Sequence, residues 1–273
     1  MIEITTQPKT LSAYVDSLQK QGRIVFHLDE AASILGITLI AARLSVHRLT
    51  KKKRVFRAYR NFYVIVPLEY QEIGCPPPDW FIDALLQHMK ADYYVGLLSA
   101  AALHGAAHQQ PMIFQAVTSK YSRLITTPSM NIHLYQSNYI HKAGIEQKKT
   151  ATGYMNISTP ELTAFDLVRY VRASGHYNHV ATVLTELAER IRSKRLATLA
   201  KNICQEHGEW IYWQRLGYIL DVVGFNHSAD HLAALIDKHQ PSLGYLVSGK
   251  TENVLEKSSR WRLYINDRIE ADL

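Results

Sequence analysis

The sequence predicts an α+β protein: an N-terminal winged helix-turn-helix followed by a mixed α/β C-terminal domain, with strands first and helices later. Three observations predict it. Apolar residues recur at helical spacing from Leu11 to Leu49, then give way to two short apolar runs around a polar turn. Pro76, Pro77 and Pro78 then break the chain, since consecutive prolines cannot continue a helix and favour an extended spacer. Beyond them the hydrophobic period shifts towards two between about residues 111 and 158, and returns to a helical one afterwards. The expected domains are 1–75 and 79–273.

The elements follow in order. Leu11, Val15 and Leu18 line one face of a first helix, which Gln21-Gly22 stops. Asp29 is the expected cap of a short second helix carrying Ala32 and Leu35 and ending at Gly36. Thr38 caps a third, with Leu39, Ala42, Val46 and Leu49 on its inner face. A strand at Val55-Phe56, a polar turn at 58–61 and a strand from Phe62 to Val66 complete a β-wing. After the prolines, Asp79 is the expected cap of a helix through Trp80, Leu85 and Met89. The segment "YYVGLLSAAALHGAA" is rich in small residues, which suits a closely packed, buried helix. "IFQAVTS", "MNIHLYQ" and "YMNIST" read as strands, with Pro128 and Gly144 as punctuation. Ser158 with Glu161 reads as a capping box, and Pro160 sits in the first turn of the helix it opens. Further helices are expected at 178–191, 194–206, 209–223 and 229–239, and a returning strand in "RWRLYIND".

A composition of 47% hydrophobic and 20% charged residues in 273 is that of a globular chain able to bury a core without staples. Cys75 and Cys204 are too few for a disulfide framework or a structural zinc site built on thiolates. The N-terminal residues lack a secretory pattern, and no window approaches the apolar length of a membrane span. A cytoplasmic protein is expected.

The formal charge of +7 hints at a polyanionic partner, and its distribution sharpens the hint. No Asp or Glu lies between Glu30 and Glu69. With Ala42, Val46 and Leu49 inward, Arg43, Ser45, His47 and Arg48 face out, with Ile40 near the helix start. The N-terminal half of such a helix can enter a major groove, where arginine pairs bidentately with guanine. Thr38 stands where free N–H groups favour a phosphate oxygen. Lys51, Lys52, Lys53 and Arg54 are placed for the phosphate backbone, and Arg57 and Arg60 lie on the wing. Dipole complementation at a helix C-terminus explains two or three of these cations, but neither the missing acids nor the arginines of the hairpin. About five phosphates neutralised together give a slope of log K against log salt of roughly −4.5.

With these features in view, four segments resemble the AbiEi antitoxins: the winged-helix start, "YYVGLLSAAALHG", "ISTPELTAFDLVRY" and the closing "RWRLYINDRIEADL". These are the antitoxin members of the AbiE abortive-infection systems, usually called type IV toxin–antitoxin pairs. The similarity covers nearly the whole chain, and the His-Gly segment and the Thr-Pro-Glu helix start are its most specific parts. It implies two roles. The winged helix would bind double-stranded promoter DNA at inverted repeats and repress its own operon. The C-terminal domain would counter a nucleotidyltransferase-like toxin without needing a stable complex. The DNA-binding role carries over to the exposed cations named above; no motif assigns antitoxin residues. Ser99, His104 and Gly105 match the family pattern, which close packing also explains.

The remaining candidates for chemistry are bland. His104 and His108 stand at i, i+4 without an evident third metal ligand, and His104 reads as a hydrogen-bonded, partly buried residue. His176 and His179 read as helix-start residues. Glu161 and Asp166 do not share a helix face well, so no catalytic carboxylate pair is expected. Trp210, Tyr212, Trp213 and Tyr218 read as core packing rather than a base-stacking platform. No Asp-x-Asp, Gly-Ser turn, phosphate loop or dinucleotide fingerprint is present, so neither an enzyme nor a cofactor is expected. The rival reading is that the C-terminal domain is an enzyme acting on a nucleotide, RNA or the toxin, delivered by the winged helix. Distant residues converging on an acidic or metal-binding cluster would favour it.

Overall fold

The computed structural model describes residues 8–106, 111–249 and 254–271. The chain divides into two compact units. The first holds Met1–Tyr93, Met112–Asn138 and Gln147–Asn156; the second holds Tyr94–Pro111, Tyr139–Glu146 and Ile157–Leu273.

In the first unit, Thr10 caps α1 (Leu11–Lys20), its hydroxyl accepting from the Ala13 N–H at 3.2 Å. Leu11, Tyr14, Val15 and Leu18 form the buried stripe of this helix. Strand β1 (Val25–His27) leads directly into α2 (Leu28–Leu35). Gly36 ends α2 in the left-handed region at φ 63°, where a side chain would be strained. Helix α3 (Leu39–Lys51) then departs at 112° to α2, within the range of a helix-turn-helix. Strands β2 (Val55–Tyr59) and β3 (Phe62–Ile65) form a hairpin, and β1 adds to it in the order β1-β3-β2. One core joins all six elements: Phe26, Ala31, Ala42, Val46, Leu49, Val55 and Ile65 are buried together with the stripe of α1. Burying each larger aliphatic side chain of this kind contributes about 1.5–3 kcal/mol.

The start of α2 differs from expectation. His27, not Asp29, occupies the N-cap position, and the Glu30 carboxylate accepts from the His27 N–H at 3.5 Å. The side chain of Asn61, from the hairpin turn, accepts from the N–H groups of Leu28 and Asp29. A remote amide does the capping that a local aspartate was expected to do.

Downstream lie a 3-10 turn at Pro78–Trp80 and α4 (Ile82–His88), with Phe81 rather than Asp79 at the N-cap. The segment read as one apolar helix is a strand, β4 (Tyr93–Val95), followed by α5 (Leu97–Leu103). A six-stranded mixed sheet has the order β6-β7-β5-β4-β9-β8, with β5 (Ile113–Thr118), β6 (Arg123–Ile125), β7 (Asn131–Gln136), β8 (Ile145–Thr150) and β9 (Gly153–Ser158). Strand β5 pairs parallel with β7, β6 antiparallel with β7, and β4 parallel with β9 through Val95 and Ile157.

The second unit is mainly helical. Helix α6 (Pro160–Arg169) is buried from Glu161 to Val168, the pattern of a central helix. Its cap is Thr159, which accepts from Leu162, rather than Ser158. Ser158 instead bonds Thr163 at 2.6 Å, and Glu161 accepts from the Arg192 N–H at 3.0 Å. Helices α7 (His176–Leu187), α8 (Ser193–His207), α9 (Trp210–Val222) and α10 (Asn226–His239) follow as the periodicity anticipates. Trp213 is buried and stacks on Phe165 at 4.4 Å, the packing role expected of that aromatic stretch. A small sheet of β10 (Gly244–Tyr245), β11 (Glu256–Ser258) and β12 (Leu263–Ile265) closes the unit.

Candidate nucleic-acid interface

A groove of about 670 Å³ runs between α3 and the hairpin. Arg43, His47 and Thr50 line it from α3; Arg57, Arg60, Asn61 and Tyr63 line it from the hairpin and its turn. Local sequence explains this placement. Thr38 starts α3, accepting from the Ala41 N–H at 3.2 Å, and burial of Ala42, Val46 and Leu49 fixes its rotation. Arg43 and His47, one turn apart, then share the outer face. Arg60 and Asn61 form the two-residue turn, where Asn61 takes φ 62°, a value Asn tolerates better than most residues.

The remaining sequence candidates divide into two sets. Thr38, Arg48, Lys51 and Lys52 are exposed, and Ser45 is half-buried on the same helix. Lys53 donates to the Glu72 carbonyl at 2.6 Å. Arg54 is ion-paired with Asp16 of α1 and donates to the Ser12 hydroxyl at 3.4 Å. The structure therefore brings Arg43, His47, Arg57 and Arg60 to one groove and turns Lys53 and Arg54 to protein partners. Leu39, expected inside, is 46% exposed and lines the groove from the first turn of α3. Ile40 and Leu44, 70% and 57% exposed, add an apolar strip to α3.

Two features were not anticipated. Asp29 also lines the groove, its carboxyl held below the usual range chiefly by a hydrogen bond from Asn61. The wing is also fastened within its own unit. The Tyr59 and Tyr121 hydroxyls are 3.4 Å apart, and the Arg123 guanidinium lies 4.7 Å from the Tyr59 ring centre. His88 Nε2 lies 3.0 Å from the Arg60 carbonyl, which can only accept, so the ring hydrogen is on Nε2. Arg123 thus joins the basic surface from a segment far away in sequence.

His104 is half-buried and its Nε2 donates to the Ser158 carbonyl at 2.7 Å, as expected of a packed residue; His108 lies outside the described residues. Residues 94–222 match the family model described as the AbiEi antitoxin C-terminal domain. This segment is similar to the AbiEi antitoxin C-terminal domain. The fold as a whole is similar to the crystal structure of the RV2827C protein from Mycobacterium tuberculosis, with a TM-score of 0.66 and 15% sequence identity over 94% of this chain and 92% of that one. No curated protein matches the sequence. Among the described residues no single helix is long and apolar enough to cross a membrane.

The segment that this family model matches encloses polar groups that spacing alone did not bring together. Asp166 is fully buried, and neither carboxylate oxygen has a hydrogen-bond partner among the described residues. Burial, only partly offset by Arg169, pushes its carboxyl up to about 7. Arg169 is paired with Glu209 at 3.0 Å and donates to the Tyr139 hydroxyl at 3.0 Å. The Tyr139 ring stacks on His207 at 3.5 Å. His141, buried beside them, is pushed down to about 4 by burial first, then by Arg169 and His207. Its neutral imidazole, Glu206 and His207 make a group able to hold a metal ion.

Proposed function

We propose that this protein is the antitoxin of a type IV, abortive-infection toxin–antitoxin pair and also a DNA-binding autorepressor of its own operon. Residues 1–75 supply the DNA-binding part and residues 79–273 the antitoxin part. The observation that supports the DNA role is the groove shared by Arg43, His47, Arg57 and Arg60. In this reading α3 enters the major groove, with Arg43 and His47 at base edges and Ile40 and Leu44 against thymine methyls. The hairpin sets Arg57 and Arg60 on the flanking backbone, and Thr38, Ser45, Arg48, Lys51 and Lys52 hold phosphates. Lys53 and Arg54 act mainly by fixing the unit. Occupying inverted repeats in the promoter blocks polymerase, so repression needs no catalysis. The toxin is nucleotidyltransferase-like and is countered without a stable complex.

Band shifts on the operon's upstream DNA test this. Removing a bidentate arginine costs about 1–3 kcal/mol, so Arg43→Ala should weaken binding roughly tenfold or more. Unchanged shifts for Arg43→Ala, Arg48→Ala and Arg57→Ala combined would count against the assignment.

A further inference from the structure

We propose that His141, Glu206 and His207 form a binding site for a divalent transition-metal ion of the zinc class. One donor atom from each residue lies within 4.8 Å of the donors of the other two. Two imidazoles and a carboxylate are a donor set that zinc takes with three protein ligands, leaving a fourth position open. The two imidazoles disfavour magnesium and calcium, which take oxygen donors. Metal–donor distances of about 2.0–2.2 Å require these groups to close in. Glu206 can do so, since its side chain is 65% exposed.

Two further features point to a cation. Nε2 of His141 is buried and has no hydrogen-bond partner among the described residues. Glu206 and His207 occupy the last turn of α8, where free carbonyls and the helix dipole favour positive charge, and Gly208 closes that turn at φ 67°. The surroundings also fix the site. The parallel stack on Tyr139 sets the plane of the His207 ring, and the Tyr139 hydroxyl accepts from Arg169. Glu209, at 3.0 Å from Arg169, offsets a charge that would otherwise repel the ion. A bound ion would tie the β7–β8 connection to the end of α8, independently of any DNA binding.

The test uses untagged, full-length protein stripped with chelator and then dialysed against zinc. Wild type should retain one equivalent, and cobalt in its place should give a bound-metal spectrum. Glu206→Gln and His207→Gln should each weaken binding by more than the roughly 10–100-fold that loss of an outer-shell partner costs. Zinc should raise the melting temperature of wild type and not of the double variant. Circular dichroism confirms that the variants fold, and Glu206→Gln alters only an exposed side chain. Substoichiometric zinc in wild type, or equal zinc in wild type and the double variant, would overturn the site.

Discussion

Asn61 in the hairpin turn accepts hydrogen bonds from the backbone N–H groups of Leu28, at 3.0 Å, and Asp29, at 3.3 Å. The wing therefore caps the first helix of the helix-turn-helix, and the two parts that would straddle a duplex share one fastening. Loss of a capping side chain costs about 0.5–2 kcal/mol. Alanine at position 61 must also adopt φ near 62°, which costs roughly a further 1–2 kcal/mol. Asn61→Ala should thus lower the melting temperature more than Asn61→Gly does. Equal losses in thermal unfolding would show that backbone strain plays no part.

The cations should separate by partner. Arg54→Ala removes a partly exposed ion pair with Asp16, worth about 0–1 kcal/mol, and should leave promoter affinity near wild type. Arg43→Ala should leave stability unchanged and weaken the band shift. The reverse pattern would mean that the groove is not where DNA binds.

The groove arginines should be dispensable for antitoxin activity. Cells carrying the Arg43→Ala, Arg57→Ala variant, expressed from an unrelated promoter, should survive the toxin as wild type does while a promoter reporter is derepressed. Loss of both activities would contradict the proposed division of labour.

Asp166 should make stability depend on pH. Its carboxyl binds a proton more tightly in the folded protein, at about 7 against the ordinary 3.8. Its contribution is then full below about pH 4 and is lost as pH rises through 7. Asp166→Asn removes that loss. Melting temperatures of variant and wild type should diverge in favour of the variant between pH 4 and pH 7, and parallel curves would show that Asp166 is ionised throughout.

Gly217 lies in α9 with no room for a methyl group. A Cβ there would fall 1.9 Å from the ring of Trp261, whose indole N–H donates to Asp221 at 2.7 Å. Gly217→Ala, stabilising by about 1 kcal/mol in an open helix, should here destabilise by about 1–3 kcal/mol. Urea unfolding checks the sign.

Much of this fold was legible where the signal is local. Thr38 and Gly36 mark helix ends, and the stripes of α1 and α3 give their buried faces. Strand β4 was hidden because three apolar residues run straight into an apolar helix, and periodicity cannot divide them. β8, "IEQKKT", is an edge strand with no buried alternation, and its lysines suit an unpaired edge. The site followed the same rule. Arg43, His47, Arg57 and Arg60 could be named because helix phase and turn position act over a few residues. Asp16, which takes Arg54, and Tyr121 and Arg123, which hold the wing, are remote in sequence. So are His141 and the pair Glu206-His207, which no spacing motif links.

The central claim is that the groove in the first unit and the exposed cations beside it on α3 seat on a duplex together. Fluorescence anisotropy of the upstream DNA across a salt series measures it most directly. Five phosphates neutralised together predict a slope of log K against log salt of roughly −4.5, falling by about 0.9 in magnitude for each of Arg57→Ala and Arg60→Ala. A slope near zero, or one that neither replacement changes, would contradict it.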